Sequence, residues 1–148
     1  RKNHIAEASV LVDAPVSRVW EALTTPELIK EYAYGAQVET DWKEGSPITF
    51  KGEYEGRPFE DKGVIIWFEP EKTLVNTHWS PLSGTEDSPE NYHTVRYDLK
   101  QEEDGRTRLT LTQDNNDSEE ERAESERNWK VMLEGLKKLV EEGQVHEA

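Results

Sequence analysis

Apolar positions alternate with a period of two over most of this chain and recur with a helical period near its end. The first alternating segment, residues 5–13, predicts a strand with Ala6, Ala8, Val10 and Val12 on one side. At residues 13–15 a capping residue is followed two positions later by proline, and at residues 25–26 it is followed directly by proline. Each signal predicts a helix start, so two short helices are expected after the first strand.

From residue 37 to residue 113 the alternation predicts a meander of antiparallel strands. Turn residues interrupt it at close intervals, at residues 43–47, 55–58, 69–72 and 103–105. The segment 64–68 is apolar on both faces, with Ile65 and Trp67 alternating with Val64, Ile66 and Phe68. The connection over residues 80–91 is rich in Pro, Ser, Gly and acid, and is expected to be a long mobile loop.

The carboxy-terminal segment has the strongest helical period of the chain. Ser118 and Glu121 have the spacing of a capping box. An apolar stripe follows at steps of three and four residues, formed by Trp129, Met132, Leu133, Leu136, Leu139 and Val140. The most economical cover for this stripe is the open face of the sheet. Gly143 is the expected end of the helix, and residues 143–148 are the expected frayed tail of a single domain that spans residues 1–148.

Composition narrows the classes of partner. The 148 residues include 32 Asp and Glu against 18 Lys and Arg, for a formal net charge of −14. This acidity argues against nucleic acid and anionic membrane as partners, and no apolar run reaches the about 20 residues that a membrane span needs. A cytoplasmic location is therefore expected. The chain has no Cys and its four His lack the spacing of metal ligands, so we expect no metal and no cofactor.

Several phrases occur in a characteristic order along the chain: residues 14–16, 19–24, 26–28, 41–47, 63–70, 74–79, 107–113 and 129–139. Together they resemble the START-like (SRPBCC) superfamily, and within it the branch named for the carboxy-terminal domain of the activator of a heat-shock-protein ATPase. The resemblance implies an α+β helix-grip fold. In that fold a curved antiparallel sheet of about six or seven strands wraps a long carboxy-terminal helix, with two short helices after the first strand.

The resemblance also implies a cavity between sheet and helix that takes a hydrophobic or aromatic small molecule, in a role that is stress-linked or unknown. If the side of residues 74, 76 and 78 faces this cavity, as the family register implies, Asn76 and His78 add polar groups to an apolar wall. A structural histidine is the alternative for His78. The expected ligand-binding residues are Phe50, Asn76, His78, Tyr97, Leu111, Gln113, Trp129 and Leu133, with no catalytic residue among them.

Two other functions compete with ligand binding. One is a co-chaperone-like module that binds a protein partner through its acidic surface or through an outer apolar patch of Ile65 and Trp67. The other is a cyclase- or dehydratase-like enzyme, in which His78 and a tyrosine such as Tyr97 share proton transfer. The sequence shows no second acid or base beside His78, which disfavours the enzyme.

Overall fold

The alternating segments form the strands of one antiparallel sheet in the computed structural model, which describes residues 4–147 and the side chains of residues 4–143. The strands are β1 His4–Val12, β2 Gln37–Thr40, β3 Pro47–Tyr54, β4 Arg57–Glu69, β5 Thr73–His78, β6 His93–Gln101 and β7 Thr107–Asn116. The helices are α1 Val16–Thr24, α2 Pro26–Tyr32 and α3 Glu119–Glu147. This element order confirms the predicted α+β class.

The strands lie in the order β1-β7-β6-β5-β4-β3-β2, so the first strand pairs with the last one in the chain. Strands β2 to β7 are joined in sequence as antiparallel neighbours. The sheet is open and curved, and α3 lies against it. The predicted helix-grip architecture is therefore confirmed. No helix in the described part of the chain is long and apolar enough to cross a membrane.

Strand β4 changes partners along its length. Residues 57–64 pair with β3, whereas residues 65–69 pair with β5. At the change, a Cβ on Gly63 would lie 1.7 Å from the carbonyl oxygen of Thr77. Only glycine allows the two backbones to approach this closely. The bend at Gly63 therefore depends on the absence of a side chain there.

A bulge between Ile65 and Trp67 shifts the alternation of β4. Ile65 is completely buried, whereas Val64, Ile66 and Trp67 are 42%, 48% and 51% exposed. The predicted outer patch of Ile65 with Trp67 is thus wrong in its first member, because the bulge turns Ile66 and Trp67 outward together. We define the outer patch as Val64, Ile66 and Trp67.

The start of α3 contains the predicted capping residues. The Ser118 hydroxyl accepts a hydrogen bond from the Glu121 amide, and the Glu121 carboxylate accepts one from the Asp117 amide, both at 3.1 Å. The helix continues through Gly143 to Glu147, past its expected end. The frayed tail stays a prediction, since Ala148 and the side chains of residues 144–147 lie outside the described part.

Helix α3 crosses the sheet at β1. The Lys130 and Lys137 ammonium groups donate hydrogen bonds to the carbonyl oxygens of Ser9 and Leu11, at 2.7 and 2.8 Å. Beneath the helix lies a closed apolar core whose members include Val10, Leu109, Leu111, Leu133 and Leu136. Because the helix is centred on β1, it leaves the part of the sheet around β3 to β6 less completely covered.

The connection between β5 and β6 is tied to the sheet at several points. Asp87 forms an ion pair with Lys62 at 2.5 Å and accepts a hydrogen bond from the Tyr92 hydroxyl at 2.6 Å. The Asn115 side-chain amide donates to the Tyr92 carbonyl at 2.9 Å. Short 3-10 turns at Pro81–Ser83 and Pro89–Asn91 shape the segment. Its mobility stays a prediction, but its path over the sheet is defined by these contacts.

Candidate functional site

A cavity of about 600 Å³ lies between the curved sheet and the helices α2 and α3. Apolar side chains from β2, β3, β5 and β6 form part of its wall, and Ile29 of α2 closes one side. Eight aromatic side chains also line it: Tyr32, Tyr34, Trp42, Phe50, Tyr54, Phe59, Tyr97 and Trp129. The cavity is thus the part of the hydrophobic layer between the sheet and the helices that side chains do not fill.

Six of the eight predicted site residues line this cavity: Phe50, Asn76, His78, Tyr97, Gln113 and Trp129. The register of the sheet explains why they meet. Asn76 is paired with Val95, which is paired in turn with Gln113, so these three side chains form one row across the sheet. Leu74 and Tyr97 form the next row. The predicted orientation of the Leu74, Asn76 and His78 side is therefore the observed one.

Leu111 and Leu133 do not line the cavity, which corrects their predicted place on its wall. Both side chains are completely buried in the closed core. Leu111 lies on β7 directly beside Ala8 of β1, the strand that α3 crosses. Leu133 is next in sequence to Met132, which does line the cavity. A step of one residue turns a helical side chain by about 100°, and here that step separates cavity from core.

The cavity has a polar group that the sequence did not reveal, the carboxylate of Asp61. Its Oδ2 atom lies 2.9 Å from Nε2 of His78, and both side chains are mostly buried. The ring of Phe50 packs edge-on against the imidazole, with 5.5 Å between ring centroids. Asp61 is also the cross-strand partner of Phe50. The wall formed by β3, β4 and β5 therefore carries an oriented imidazole–carboxylate pair.

Three buried side-chain atoms have no hydrogen-bond partner among the described residues: Oδ1 of Asp61, Nδ1 of His78 and Oε1 of Gln113. All three belong to side chains that line the cavity. Unpaired buried polar atoms are rare in folded proteins, because each costs about 1–3 kcal/mol. The buried side-chain atoms that lack a hydrogen-bond partner in the described part of the chain therefore all belong to the cavity wall.

Burial raises the pKa of the Tyr97 hydroxyl, and burial followed by the proximity of Tyr97 raises the pKa of Tyr32. Both hydroxyls are thus protonated and uncharged at neutral pH. The Tyr32 hydroxyl donates a hydrogen bond to the Ala22 carbonyl at 2.8 Å, so it has a structural partner. Tyr97 contributes an uncharged polar group to the cavity wall.

The mouth of the cavity is formed by residues that line it and are nonetheless exposed. They include Tyr34, Glu53, Tyr54 and Leu82. Tyr34 is held against α3, because its hydroxyl donates a hydrogen bond to the Asn128 carbonyl at 3.2 Å. These residues were not predicted, since single exposed aromatics carry no periodic signal. Among the described side chains, those of residues 4–143, no group of three or more His, Asp or Glu is arranged to hold a metal ion.

Comparison with known proteins agrees with this geometry. A model of the family described as "Activator of Hsp90 ATPase homolog 1-like protein" matches residues 13–141. The solution structure of ChR145 from Cytophaga hutchinsonii is 48% identical, with a TM-score of 0.84 over 98% of this chain and 99% of that one. No curated protein matches the chain.

Two more distant structures share the fold alone. DynU16, from the dynemicin biosynthetic locus, is 20% identical with a TM-score of 0.79, and the match covers 95% of this chain and 48% of that one. Ara h 8.0201 is 12% identical with a TM-score of 0.71, over 93% of this chain and 97% of that one. The helix-grip architecture is therefore shared across very different sequences.

Proposed function

The chain belongs to the family of activator of Hsp90 ATPase homolog 1-like proteins, within the START-like superfamily, and on that premise we propose that it binds a hydrophobic or aromatic small molecule in its cavity. Proteins of this fold commonly bind hydrophobic ligands, which supports the proposal. The proposed function is reversible binding with no covalent step. A stress-linked role and a cytoplasmic location stay predictions.

The observation that carries the proposal is the cavity itself. Its volume of about 600 Å³ falls within the range of about 300–1,000 Å³ that is usual for small-molecule sites. Aromatic walls from Phe50, Tyr97 and Trp129 surround a few polar groups, Asn76 and His78 among them. Such a combination gains affinity from apolar contact and orients the ligand through its polar groups.

An NMR titration of the ¹⁵N-labelled protein with naphthalene, an apolar aromatic probe, tests the proposal. Amide shifts are expected to cluster on β5, β6 and α3, around Asn76, Tyr97 and Trp129. Val95→Phe adds bulk to the cavity wall and should weaken binding by about tenfold or more, since each 1.4 kcal/mol of lost contact is a factor of ten. Val131→Phe is the matched control, because Val131 is 62% exposed on the outer face of α3.

The control variant should bind naphthalene as the unchanged protein does, and the amide spectra of both variants should remain dispersed. Equal binding by Val95→Phe and the unchanged protein would contradict the proposal. So would the absence of any shift at saturating probe. Shifts confined to Val64, Ile66 and Trp67 would move the binding event to the outer patch.

The outer patch is the observation that favours the second candidate, a co-chaperone-like module with a protein partner. Val64, Ile66 and Trp67 place apolar area side by side on the outer face of β4. The cyclase-like enzyme is a third candidate, since Asp61 supplies the second acid–base group that the sequence lacked beside His78. The co-chaperone-like module ranks below ligand binding because it leaves the cavity and its unpaired polar atoms unexplained. The enzyme ranks below it because it requires a covalent step in addition to binding in the same cavity.

A further inference from the structure

The charges on the cavity wall are all of one sign. Glu53 and Asp61 line the cavity, and none of the described residues that line it is a Lys or an Arg. Among the described lining residues, His78 has the only imidazole. Its Nε2 atom is already hydrogen-bonded to Asp61. A ligand carboxylate would therefore meet the like charges of Glu53 and Asp61 and no Lys or Arg.

The buried atoms of the cavity wall that lack a hydrogen-bond partner also disfavour an anionic ligand. Asp61 accepts a hydrogen bond from Nε2 of His78, so in the neutral imidazole the proton is on Nε2 and Nδ1 is an acceptor. Oδ1 of Asp61 and Oε1 of Gln113 are acceptors as well. The two oxygens are acceptors whatever the state of the imidazole, so a ligand that brings N–H or O–H groups satisfies them.

We propose that the ligand is a hydrophobic amine, bound as its ammonium with the charged head beside Asp61 and the apolar part between the aromatic walls. This inference rests on the proposed function and specifies the ligand class for the same cavity. A cation satisfies the unpaired carboxylate oxygen and is neutralised by it, whereas an alcohol satisfies only the hydrogen bond. Aromatic faces such as those of Phe50 and Phe59 also attract a cation.

The path into the cavity also favours cations over anions. Glu53 is exposed at the mouth, and the chain as a whole carries a formal charge of −14. A negative surface that leads to a negative cavity concentrates cations and repels anions on approach. Tyr54 and Tyr34, beside the mouth, offer apolar rings for the tail of an entering amine.

Four probes with one naphthalene ring and different heads test the inference by calorimetry: naphthylmethylamine, naphthylmethanol, ethylnaphthalene and naphthylacetate. At neutral pH and low salt, the amine should bind about tenfold more tightly than the alcohol. The advantage over the alcohol arises because hydrogen bonds to charged groups are stronger than neutral ones. The amine should bind at least about a hundredfold more tightly than the carboxylate, because Asp61 and Glu53 attract the ammonium and repel the carboxylate. This comparison uses the unchanged protein, so no variant needs to fold for it.

Asp61→Asn keeps the shape of the side chain and removes its charge. It should weaken the amine by about tenfold or more and leave ethylnaphthalene unchanged. Asp104→Asn is the matched control, because it removes the same charge in the exposed turn between β6 and β7 and should affect no probe.

The outcomes separate this inference from the proposed function. If ethylnaphthalene and naphthylmethanol bind in the cavity but the amine has no advantage, the amine inference is overturned and ligand binding stands. Tighter binding of naphthylacetate, or an equal loss for every probe in Asp61→Asn, would also overturn it. If no probe binds, both the proposed function and the amine inference fail.

Discussion

The two halves of the sheet are built differently, although the same helix lies over both. Where α3 crosses β1 and β7, the space beneath it is filled by a closed core that contains Leu111 and Leu133. Over β3 to β6, the same layer contains the cavity, with Met132 and Trp129 of α3 at its edge. The comparison shows that one helix can both close a core and border a cavity, by presenting two adjacent stripes.

The hydrogen bonding of buried polar groups also differs between the two halves. In the closed half, the Thr107 hydroxyl donates to the Ala14 carbonyl at 2.8 Å, and the Asn116 amide donates to the carbonyls of His4 and Gln113. In the open half, atoms of Asp61 and His78 have no partner among the described residues, and neither has Oε1 of Gln113, which lines the cavity from β7 at the border of the two halves. Buried polar groups are thus paired within the closed core, and those without a partner belong to side chains that line the cavity.

The largest change in the free energy of unfolding is expected at Leu133 of α3, and a smaller one at its neighbour Met132. Leu133→Ala should lower the free energy of unfolding by about 2–5 kcal/mol, the range for a buried leucine whose site cannot collapse. Met132→Ala should lower it by about 2 kcal/mol at most, because this side chain already borders open space and leaves less new cavity. Chemical denaturation of both variants measures the difference.

A loss below about 0.5 kcal/mol for Leu133→Ala would place that side chain at the surface and break the comparison, since surface substitutions have effects of this size. Equal losses for the two variants would show that the two stripes of α3 are packed alike.

The second effect concerns the bend in β4 at the edge of the open half. Gly63→Ala should lower the free energy of unfolding by about 1–3 kcal/mol, because the added methyl group would overlap the Thr77 carbonyl and force β4 away from β5. It should also weaken naphthalene binding, since Asp61 and His78 lie on the two strands that must separate.

Gly143→Ala is the control for this second effect. Its new methyl group would lie 3.5 Å from the Arg18 side chain, in ordinary contact. Alanine favours the helix over glycine by about 0.5–1 kcal/mol, so this variant should be as stable as the unchanged protein or slightly more so. Thermal unfolding of the pair distinguishes a local steric effect from a general sensitivity to added methyl groups. A neutral Gly63→Ala would contradict the close approach of the two strands.

The smallest expected change in the free energy of unfolding has opposite signs at the cavity wall and in the closed half. Gln113→Met removes an unpaired buried oxygen from the cavity wall and should raise the free energy of unfolding by up to about 1 kcal/mol. Thr107→Val removes a paired hydroxyl from the closed half and should lower it by about 1 kcal/mol. Urea denaturation of the two variants tests the sign, and destabilisation by Gln113→Met would mean that Gln113 is already satisfied in solution.

Local patterns predicted the elements well because each is determined by its own residues. Alternation in β1 placed Ala6, Ala8, Val10 and Val12 on one side of the strand, and all four are buried. The stripe of α3 placed Trp129 against the sheet, where it borders the cavity. The resemblance to a known family supplied the relation between sheet and helix that periodicity alone does not contain.

Asp61 was within reach of the sequence but was missed. The two-residue turn of Glu55 and Gly56 has positive φ at both positions, and it pairs Tyr54 with Arg57. Counting back along this hairpin pairs Phe50 with Asp61, so its register followed from the turn. The contact with His78 did not, since it depends on how β4 leaves β3 and joins β5 at Gly63.

Local periodicity was enough to identify the strands and helices and, in most strands, the apolar face, because these properties follow from the period of the side chains along one segment. Tertiary structure alone decided that Ile65 is buried while Ile66 and Trp67 are exposed together, since a bulge depends on the partner strand. It also decided that Leu133 fills the core while Met132 borders the cavity. The line along which α3 crosses the sheet is set by packing between distant segments, and that line divides one apolar layer into a closed core and an open cavity.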